Sequence, residues 1–469
     1  MVRRYYHKTS YAWVWKLLAL VFAGWVVYWG YNRFFVFDPD DILKKSVLKE
    51  KNFNTEVAEV TSPDKKIKAY LFRDTTNPII SISFLFKNAG VASDDEKHIG
   101  IANAVAALLT EGAGGMDGLR FKEELERKAI GMSFSANLDD FTGSLITTKE
   151  HQDTAYQMLN AVFGEPRFDE QDIRRVKAQL LTVLKQQREH PASILELAAA
   201  KEIFGNHPYS RNPAGTEKGI GSITRADLLE FVHNHFTKSN LMVGIAGDVT
   251  EKEAGAILDR VFGNLPDNGR IVFVRDGDTV FDGRVKNISY PSAQSVSEFF
   301  GRGVARSHPD FYPLYIANHI FGGSGLSSRL SLSARENEAL TYSIYTYLSL
   351  LDKAPTIRGG FSSTPENFAR VMEIVRREWQ KMGREGVSEA ELEQAKNYLI
   401  SSYNLRFASI ATIADILVYM QKDNLGADFL QKRNDYVRNV KLKDVNRAAK
   451  EYFGSNDTVF VNIGNFGDN

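Results

Sequence analysis

The predicted secondary-structure elements run through this chain twice in the same order, and this duplication constrains the fold more than any other feature. In the first half, apolar periodicity predicts a strand, three helices and a second, buried strand, at 79–86, 99–109, 151–163, 169–188 and 241–247. In the second half, the same order returns at 297–303, 308–321, 365–382, 388–403 and 459–464. Five elements matched in order indicate two related halves of roughly 210 residues each rather than a chance similarity.

The length and composition agree with two globular domains. The 469 residues are too many for one ordinary core, and the 43% apolar and 25% charged residues are usual globular proportions. Strands followed by helices within each half favour the α+β class, with a mostly antiparallel sheet and packed helices in each domain, over a doubly wound sheet. We predict domains at 51–265 and 288–469, joined by a Pro- and Gly-containing linker at 266–287.

Charge and cysteine content exclude several classes of function. Lys plus Arg and Asp plus Glu both number 58, so no basic excess points to a nucleic-acid partner. The chain has no cysteine, which excludes disulfides, thiolate metal sites and a cysteine nucleophile.

The N-terminal segment predicts a membrane anchor. Residues 11–31 are apolar apart from Lys16, which is about the length of a spanning helix. Basic residues precede this segment and acidic residues follow it, so the positive-inside rule places residues 1–10 in the cytoplasm. We expect a single-pass anchor at 11–35 in a bacterial inner membrane, a tether at 36–50, and the bulk of the chain in the periplasm. A membrane-surface helix or a buried helix is the alternative.

Three segments carry a resemblance to a known family. The first is GIANAVAALLTEG at 100–112; the second combines His207-Pro208-Tyr209 and Gly215 with SNLMVGIAGDV at 239–249; the third is FGGSGLSSRLSLSARENEALTYSIY at 321–345. In this order and spacing they resemble the signatures of the pitrilysin/insulinase (M16) zinc peptidases, which include the mitochondrial processing peptidase. The resemblance implies two homologous metallopeptidase-like domains over nearly everything after residue 50.

The resemblance also implies that the zinc site is degenerate. The family's helix presents two His at i and i+4 and a Glu at i+3, which bind zinc and activate water. These positions are Asn103, Ala107 and Ala106 here, and the later position of the third ligand falls near Val183. Methyl groups cannot coordinate a cation, and a neutral carboxamide is a poor zinc ligand. We therefore expect no zinc and no other cofactor on this chain.

Two other functional groups of the family are retained. By resemblance, Arg335 and Tyr342 match the Arg and Tyr that the second half of these proteases presents toward the zinc site. A guanidinium and a phenol can both donate hydrogen bonds to the oxyanion that forms during peptide hydrolysis. The alternative is that Arg335 is a surface helix residue and Tyr342 a packed strand residue.

Together these features predict a non-catalytic subunit. Some family members are split into a zinc-bearing chain and a metal-free chain that keeps the Arg/Tyr pair. We expect this chain to pair with an M16 subunit that has an intact His-x-x-Glu-His and its zinc, and to hold a peptide or unfolded protein, with edge-strand pairing as one holding mode. A membrane-anchored scaffold or peptide-binding protein without a proteolytic role is the main alternative, and a self-sufficient hydrolase with an unforeseen site is a third.

Overall fold

The computed structural model describes residues 56–466 apart from 324, 326 and 456, and this part of the chain forms two large sheets with helices packed on them. The predicted N-terminus, anchor and tether at 1–10, 11–35 and 36–50 lie outside the described residues. Within the described part, no helix combines the length and apolar character that crossing a membrane requires.

The first half contains eight strands and eight helices in its described residues. The strands are β1 (Ala58–Thr61), β2 (Lys68–Arg73), β3 (Ile79–Phe86), β4 (Gly112–Ala113), β5 (Met116–Asp117), β6 (Gly131–Ala136), β7 (Phe141–Thr148) and β8 (Leu241–Gly247). The helices are α1 (Ile101–Leu108), α2 (Gly118–Arg127), α3 (Gln152–Gly164), α4 (Glu170–Glu189), α5 (Pro191–Phe204), α6 (Glu217–Ser222), α7 (Arg225–His235) and α8 (Glu251–Phe262).

The second half follows a segment, 263–284, that has neither helix nor strand. Its strands are β9 (Val285–Ser289), β10 (Ser295–Arg302), β11 (Ser343–Ser349), β12 (Thr356–Ser363) and β13 (Val459–Gly464). Its helices are α9 (Phe311–Gly322), α10 (Pro365–Glu385), α11 (Glu389–Tyr403), α12 (Ile410–Lys422), α13 (Phe429–Arg438) and α14 (Leu442–Phe453). A π-helical turn at Ser331–Glu336 precedes β11.

The two large sheets share a five-strand topology, to which the first sheet adds β1 at one edge. The first has the order β1-β2-β8-β3-β7-β6, and the second, read from its other edge, has the order β9-β13-β10-β12-β11. In the first sheet, β8 pairs parallel with β2 and antiparallel with β3. In the second sheet, β13 pairs in the same way, parallel with β9 and antiparallel with β10. The remaining pairs in both sheets are antiparallel. The predicted duplication and the α+β class with mostly antiparallel sheets are confirmed.

Each sheet buries one face against helices of its own half. In β3, alternate residues Ile80, Ile82, Phe84 and Phe86 enter a core shared with α1, α3 and α8, as the period-two pattern of a strand requires. The second half has an equivalent core around Phe299 and Trp379.

The opposite faces are covered by exchanged helices. Helix α5 of the first half packs on β13 and β10 of the second sheet, and α12 of the second half packs on β8 and β3 of the first sheet. A methyl group added at Gly244 on β8 would lie 2.3 Å from the carbonyl oxygen of Ala414 on α12, so glycine permits this close approach. The two halves therefore complete each other's hydrophobic burial.

A buried polar cluster also joins the halves. The Lys422 ammonium lies 2.5 Å from Asp140 Oδ2 in the β6–β7 turn and 3.0 Å from Asp352 Oδ1 in the β11–β12 turn. Beside it, the Tyr209 hydroxyl donates to Asp139, and the Lys353 backbone N–H donates to the Tyr209 oxygen at 3.1 Å. We call these residues the interdomain clasp.

Candidate functional site

Helix α1, which carries the predicted metal positions, begins at a fixed turn. Gly100 has a φ of 109°, in the left-handed region that favours glycine, and the buried Asp94 carboxylate accepts hydrogen bonds from Gly100 N at 2.7 Å and Ala102 N at 3.3 Å. Burial raises the pKa of Asp94 to about 7, against the lowering effect of these backbone hydrogen bonds and of Arg211. This carboxylate therefore satisfies backbone N–H groups at the start of α1.

The side chains on α1 do not fit a zinc ion. Asn103 donates its side-chain N–H to the carbonyl of Pro213, so its amide is engaged with the backbone. Ala106 packs against the core as a half-buried residue, and Ala107 is exposed. Neither methyl group offers a lone pair, so this helix supplies no ligand set for a zinc ion.

The position predicted for the third ligand lies on the neighbouring helix. Val183 is on α4, which packs against α1, and its side chain is 41% exposed. The four substituted positions therefore lie on two helices that pack against each other. Across the described residues, the structure contains no group of three or more His, Asp or Glu arranged to hold a metal ion.

The second sequence motif has a structural role. The ring of His207 accepts from Tyr209 N at 3.2 Å through Nδ1, and its Nε2 lies 2.9 Å from the Arg275 carbonyl oxygen. Gly215, with a φ of +95°, approaches so closely that an added methyl group would lie 2.7 Å from Gly100 Cα. These residues fix the loop that follows α5, and they hold this loop against the start of α1.

Arg335 and Tyr342 lie on the segment that leads into β11. Arg335 is on the π-helical turn, a distortion often found at functional sites. Its side chain is 42% exposed, and its Nε lies 3.5 Å from Glu336 Oε1. Tyr342 is 85% exposed. The preceding Thr341 donates to the Ser362 carbonyl at 2.6 Å, which fixes the start of the strand while the tyrosine projects into solvent. Tyr342 is therefore not a packed strand residue.

The two sets of predicted residues belong to different halves. Among the hydrogen bonds and ion pairs of the described residues, none joins Arg335 or Tyr342 to α1 or to Val183. In the part of the chain that the structure describes, both side chains are exposed hydrogen-bond donors that do not contact the substituted helix.

The same segment opens onto a sheet edge. Strand β11 pairs with β12 and is the edge of the second sheet, so among the described residues 56–466 its outer row of backbone N–H and C=O groups has no partner strand. Tyr345 and Tyr347 lie on one face of β11 with their rings stacked 6.3 Å apart, and both are partly exposed. Strand β6 is the corresponding edge of the first sheet.

The duplicated α+β fold and the substituted helix α1 together define a two-domain protein of metallopeptidase type. Residues 69–217 match the family described as Insulinase (Peptidase family M16), and residues 222–399 match Peptidase M16 inactive domain. Together these matches cover well over half of the chain. The chain therefore belongs to the M16 peptidase family.

Individual relatives agree with this family. The chain is 24% identical over 390 residues to the Non-peptidase homolog YmxG of Helicobacter pylori. This match covers 83% of this chain and 89% of that protein. Its fold is similar to the crystal structure of a peptidase M16 inactive domain from Pseudomonas fluorescens, with a TM-score of 0.81 and 24% identity over 87% of this chain and 98% of that one. It is also similar to a protease from Helicobacter pylori, with a TM-score of 0.78 and 17% identity over 87% and 99% of the two chains.

Proposed function

We propose that this chain is the non-catalytic subunit of a two-chain M16 peptidase, and that a partner subunit with an intact His-x-x-Glu-His carries the zinc. The observation that supports it most is the contrast between α1, whose side chains cannot bind the metal, and the segment before β11, which keeps two exposed hydrogen-bond donors. The name of the Helicobacter relative, a non-peptidase homolog, points the same way.

The retained donors have a chemical role in this proposal. When a peptide bond is attacked, negative charge develops on its carbonyl oxygen, and donors that are already in position stabilise that charge without reorganising. Arg335 supplies a permanently charged N–H group and Tyr342 a neutral O–H group. Both would act across the interface, on a peptide bound in a chamber shared by the two chains.

The test is reconstitution of the two subunits. The purified full chain alone is expected to show no zinc by atomic absorption and no peptide hydrolysis, and activity is expected on mixing with the zinc-bearing partner. Arg335→Ala and Tyr342→Phe should each lower kcat/KM of the pair by about 10²–10³, the usual loss for one oxyanion donor. Arg302→Ala is the matched control, because Arg302 is also exposed and ion-paired, to Asp457.

The alternative outcomes separate the competing functions. If both variants leave the pair as active as the Arg302→Ala control, the donors have no catalytic role, and a scaffold or peptide-binding role is favoured. If the isolated chain hydrolyses peptides in the presence of a chelator, the subunit proposal is wrong.

We further propose that residues 11–35 anchor this subunit in the bacterial inner membrane, with the domains in the periplasm. The proposal is supported by the apolar run and the charge asymmetry of the sequence. The full chain should stay with the membrane fraction after alkaline extraction and be digested by protease added to spheroplasts. Recovery of the full chain in the soluble fraction would contradict the anchor.

A further inference from the structure

A cavity of about 370 Å³ lies in the second half, away from Arg335 and Tyr342. It is bordered by the start of α9, the end of α11, the end of α12 and the start of α13. Its volume falls in the range of sites for small organic molecules. Its lining combines aromatic rings with guanidinium groups: Phe311, Tyr312, Tyr403, Arg306, Arg406 and Arg433.

Arg433 is a buried cation held by neutral groups. The residue is 5% exposed, and its guanidinium lies 4.2 Å from the centre of the Tyr403 ring. It donates to the Leu399 carbonyl at 2.7 Å and to the Asn434 side-chain oxygen at 3.1 Å. Burial lowers the pKa of Arg433, as expected for a cation surrounded by neutral groups. Its hydrogen-bond acceptors among the described residues are neutral, so this buried guanidinium retains attraction for an anion.

Arg306 reaches the same cavity from the loop before α9. Its guanidinium lies over the rings of Phe311, Tyr312 and Phe429 at 3.9, 4.9 and 5.4 Å, and it donates to the Tyr312 hydroxyl at 3.0 Å. The stacked rings fix the plane of the guanidinium while leaving its edge available. The Tyr312 oxygen accepts this bond, so its own O–H can donate elsewhere.

The charges around the cavity favour an anion. Lys422 lines it but is paired with Asp140 and Asp352 in the interdomain clasp. Asp423 is the one carboxylate among the lining residues, and burial raises its pKa. Three arginines therefore face one carboxylate.

We propose that this cavity binds an organic anion: a carboxylate, held by Arg306 and Arg433, that carries an aromatic or branched apolar body packed among the rings. Guanidinium groups match the two oxygens of a carboxylate, and flat rings stack on an apolar body at little entropic cost. The carboxylate belongs either to a small organic acid or to the C-terminal residue of a peptide. The site is independent of the proposed peptidase role.

Calorimetric titration of the purified full chain tests the proposal and separates the two sources. The probes are 3-phenylpropionate, the tripeptide Ala-Ala-Phe with a free carboxylate, and the amide of each. We expect at least one acid to bind with a Kd below about 1 mM and its amide to bind at least about tenfold more weakly. Binding of 3-phenylpropionate alone assigns a small acid, and binding of the tripeptide assigns a peptide C-terminus.

Variants locate the binding in this cavity. Arg306→Gln should weaken the acid about tenfold to a hundredfold, whereas Arg376→Gln should not, although Arg376 also lies over a ring, that of Phe460 at 5.1 Å. Arg433→Met should weaken it at least as much, and if that variant fails to fold, Arg306→Gln carries the test. The proposal is overturned if neither acid binds, if the amides bind as tightly as the acids, or if Arg306→Gln matches the Arg376→Gln control.

Discussion

At the scale of single residues, Asp94 couples the start of α1 to pH. Its carboxylate accepts hydrogen bonds from the backbone N–H groups of Gly100 and Ala102, and Asp94 is only 4% exposed. Because burial raises its pKa from 3.8 to about 7, the folded protein holds this proton more tightly than the unfolded chain does. Its contribution to stability is therefore complete below about pH 4 and is lost as the pH rises toward 7.

We predict that Asp94→Asn removes this pH dependence. The amide keeps one acceptor oxygen but cannot ionise, so the free energy of unfolding of the variant should gain on that of the natural chain between pH 4 and pH 7. The difference in free energy of unfolding between the variant and the natural chain should grow by up to about 1.4 kcal/mol for each pH unit in this range, and should stop growing above pH 7. Urea titrations at several pH values measure it. A difference between the two proteins that does not change with pH would contradict the prediction.

The predicted site residues mark what the sequence can and cannot determine at this scale. A missing ligand is a property of residue type, so Asn103, Ala106 and Ala107 could be identified without coordinates. The exposure of the Tyr342 side chain could not be predicted from the sequence, because a tyrosine next to a predicted strand is equally often buried in a core. Arg306 and Arg433 were also missed, because residues so far apart in sequence meet only through the tertiary fold.

At the scale of elements, the exchange of α5 and α12 depends on close contact between a helix and a sheet. Gly244 faces α12, and a methyl group there would lie 2.3 Å from the Ala414 oxygen and 2.8 Å from the Leu417 side chain. Both contacts are shorter than van der Waals distance and involve a packed helix. The helix must move outward to accept any side chain at this position.

We predict that Gly244→Ala destabilises the protein by about 2 kcal/mol or more, the usual range for overpacking a core. Gly221→Ala is the matched control, since nothing lies within 4 Å of its added methyl group and its residue is exposed. That variant should be neutral or slightly more stable, because alanine favours helix α6 over glycine. Chemical denaturation of the two variants decides the prediction, and equal stabilities would argue against close packing of α12.

The elements themselves differ in how well the sequence predicts them. The strands β3 and β8 and the helices α1, α3 and α4 follow clear apolar periodicity, and their repetition identified the duplication. Helices α5 and α12 were not predicted. Each of these helices packs against the sheet of the other half. Its apolar residues therefore contact a partner that lies far away in the sequence, and the pattern of its own half does not reveal that partner.

At the scale of the whole molecule, helix exchange and the interdomain clasp make the two halves dependent on each other. Each half alone would expose the sheet face that the exchanged helix covers. We predict that a protease site inserted between Asp278 and Thr279 can be cut while the two fragments stay associated. The cut protein should elute as one species in size-exclusion chromatography and unfold in a single transition. Separation of the fragments without denaturant would show that the halves are independent.

The interdomain clasp gives this dependence its own sensitivity to pH. Lys422 is paired with Asp140 and Asp352 where both halves meet, and Asp140 is almost fully buried. Burial raises the pKa of Asp140 to about 6, and the charge of Lys422 opposes that rise. Without the Lys422 ammonium group, the pKa of Asp140 should rise further, because the buried negative charge of its carboxylate would no longer be balanced by a cation.

We predict that Lys422→Met destabilises the protein by about 3 kcal/mol at pH 7, as expected when a buried charge loses its partner. The loss should shrink as the pH falls from 7 to 5, since protonation of Asp140 removes the uncompensated charge and the folded variant holds that proton more tightly than its unfolded chain. Lys432→Met is the control, because its pair with Asp428 is exposed to solvent and screened, so losing it should leave the stability almost unchanged at any pH. Thermal unfolding of both variants between pH 5 and pH 8 measures the effect. A loss for Lys422→Met that is independent of pH would mean that the clasp acts through packing of the lysine side chain rather than through its charge.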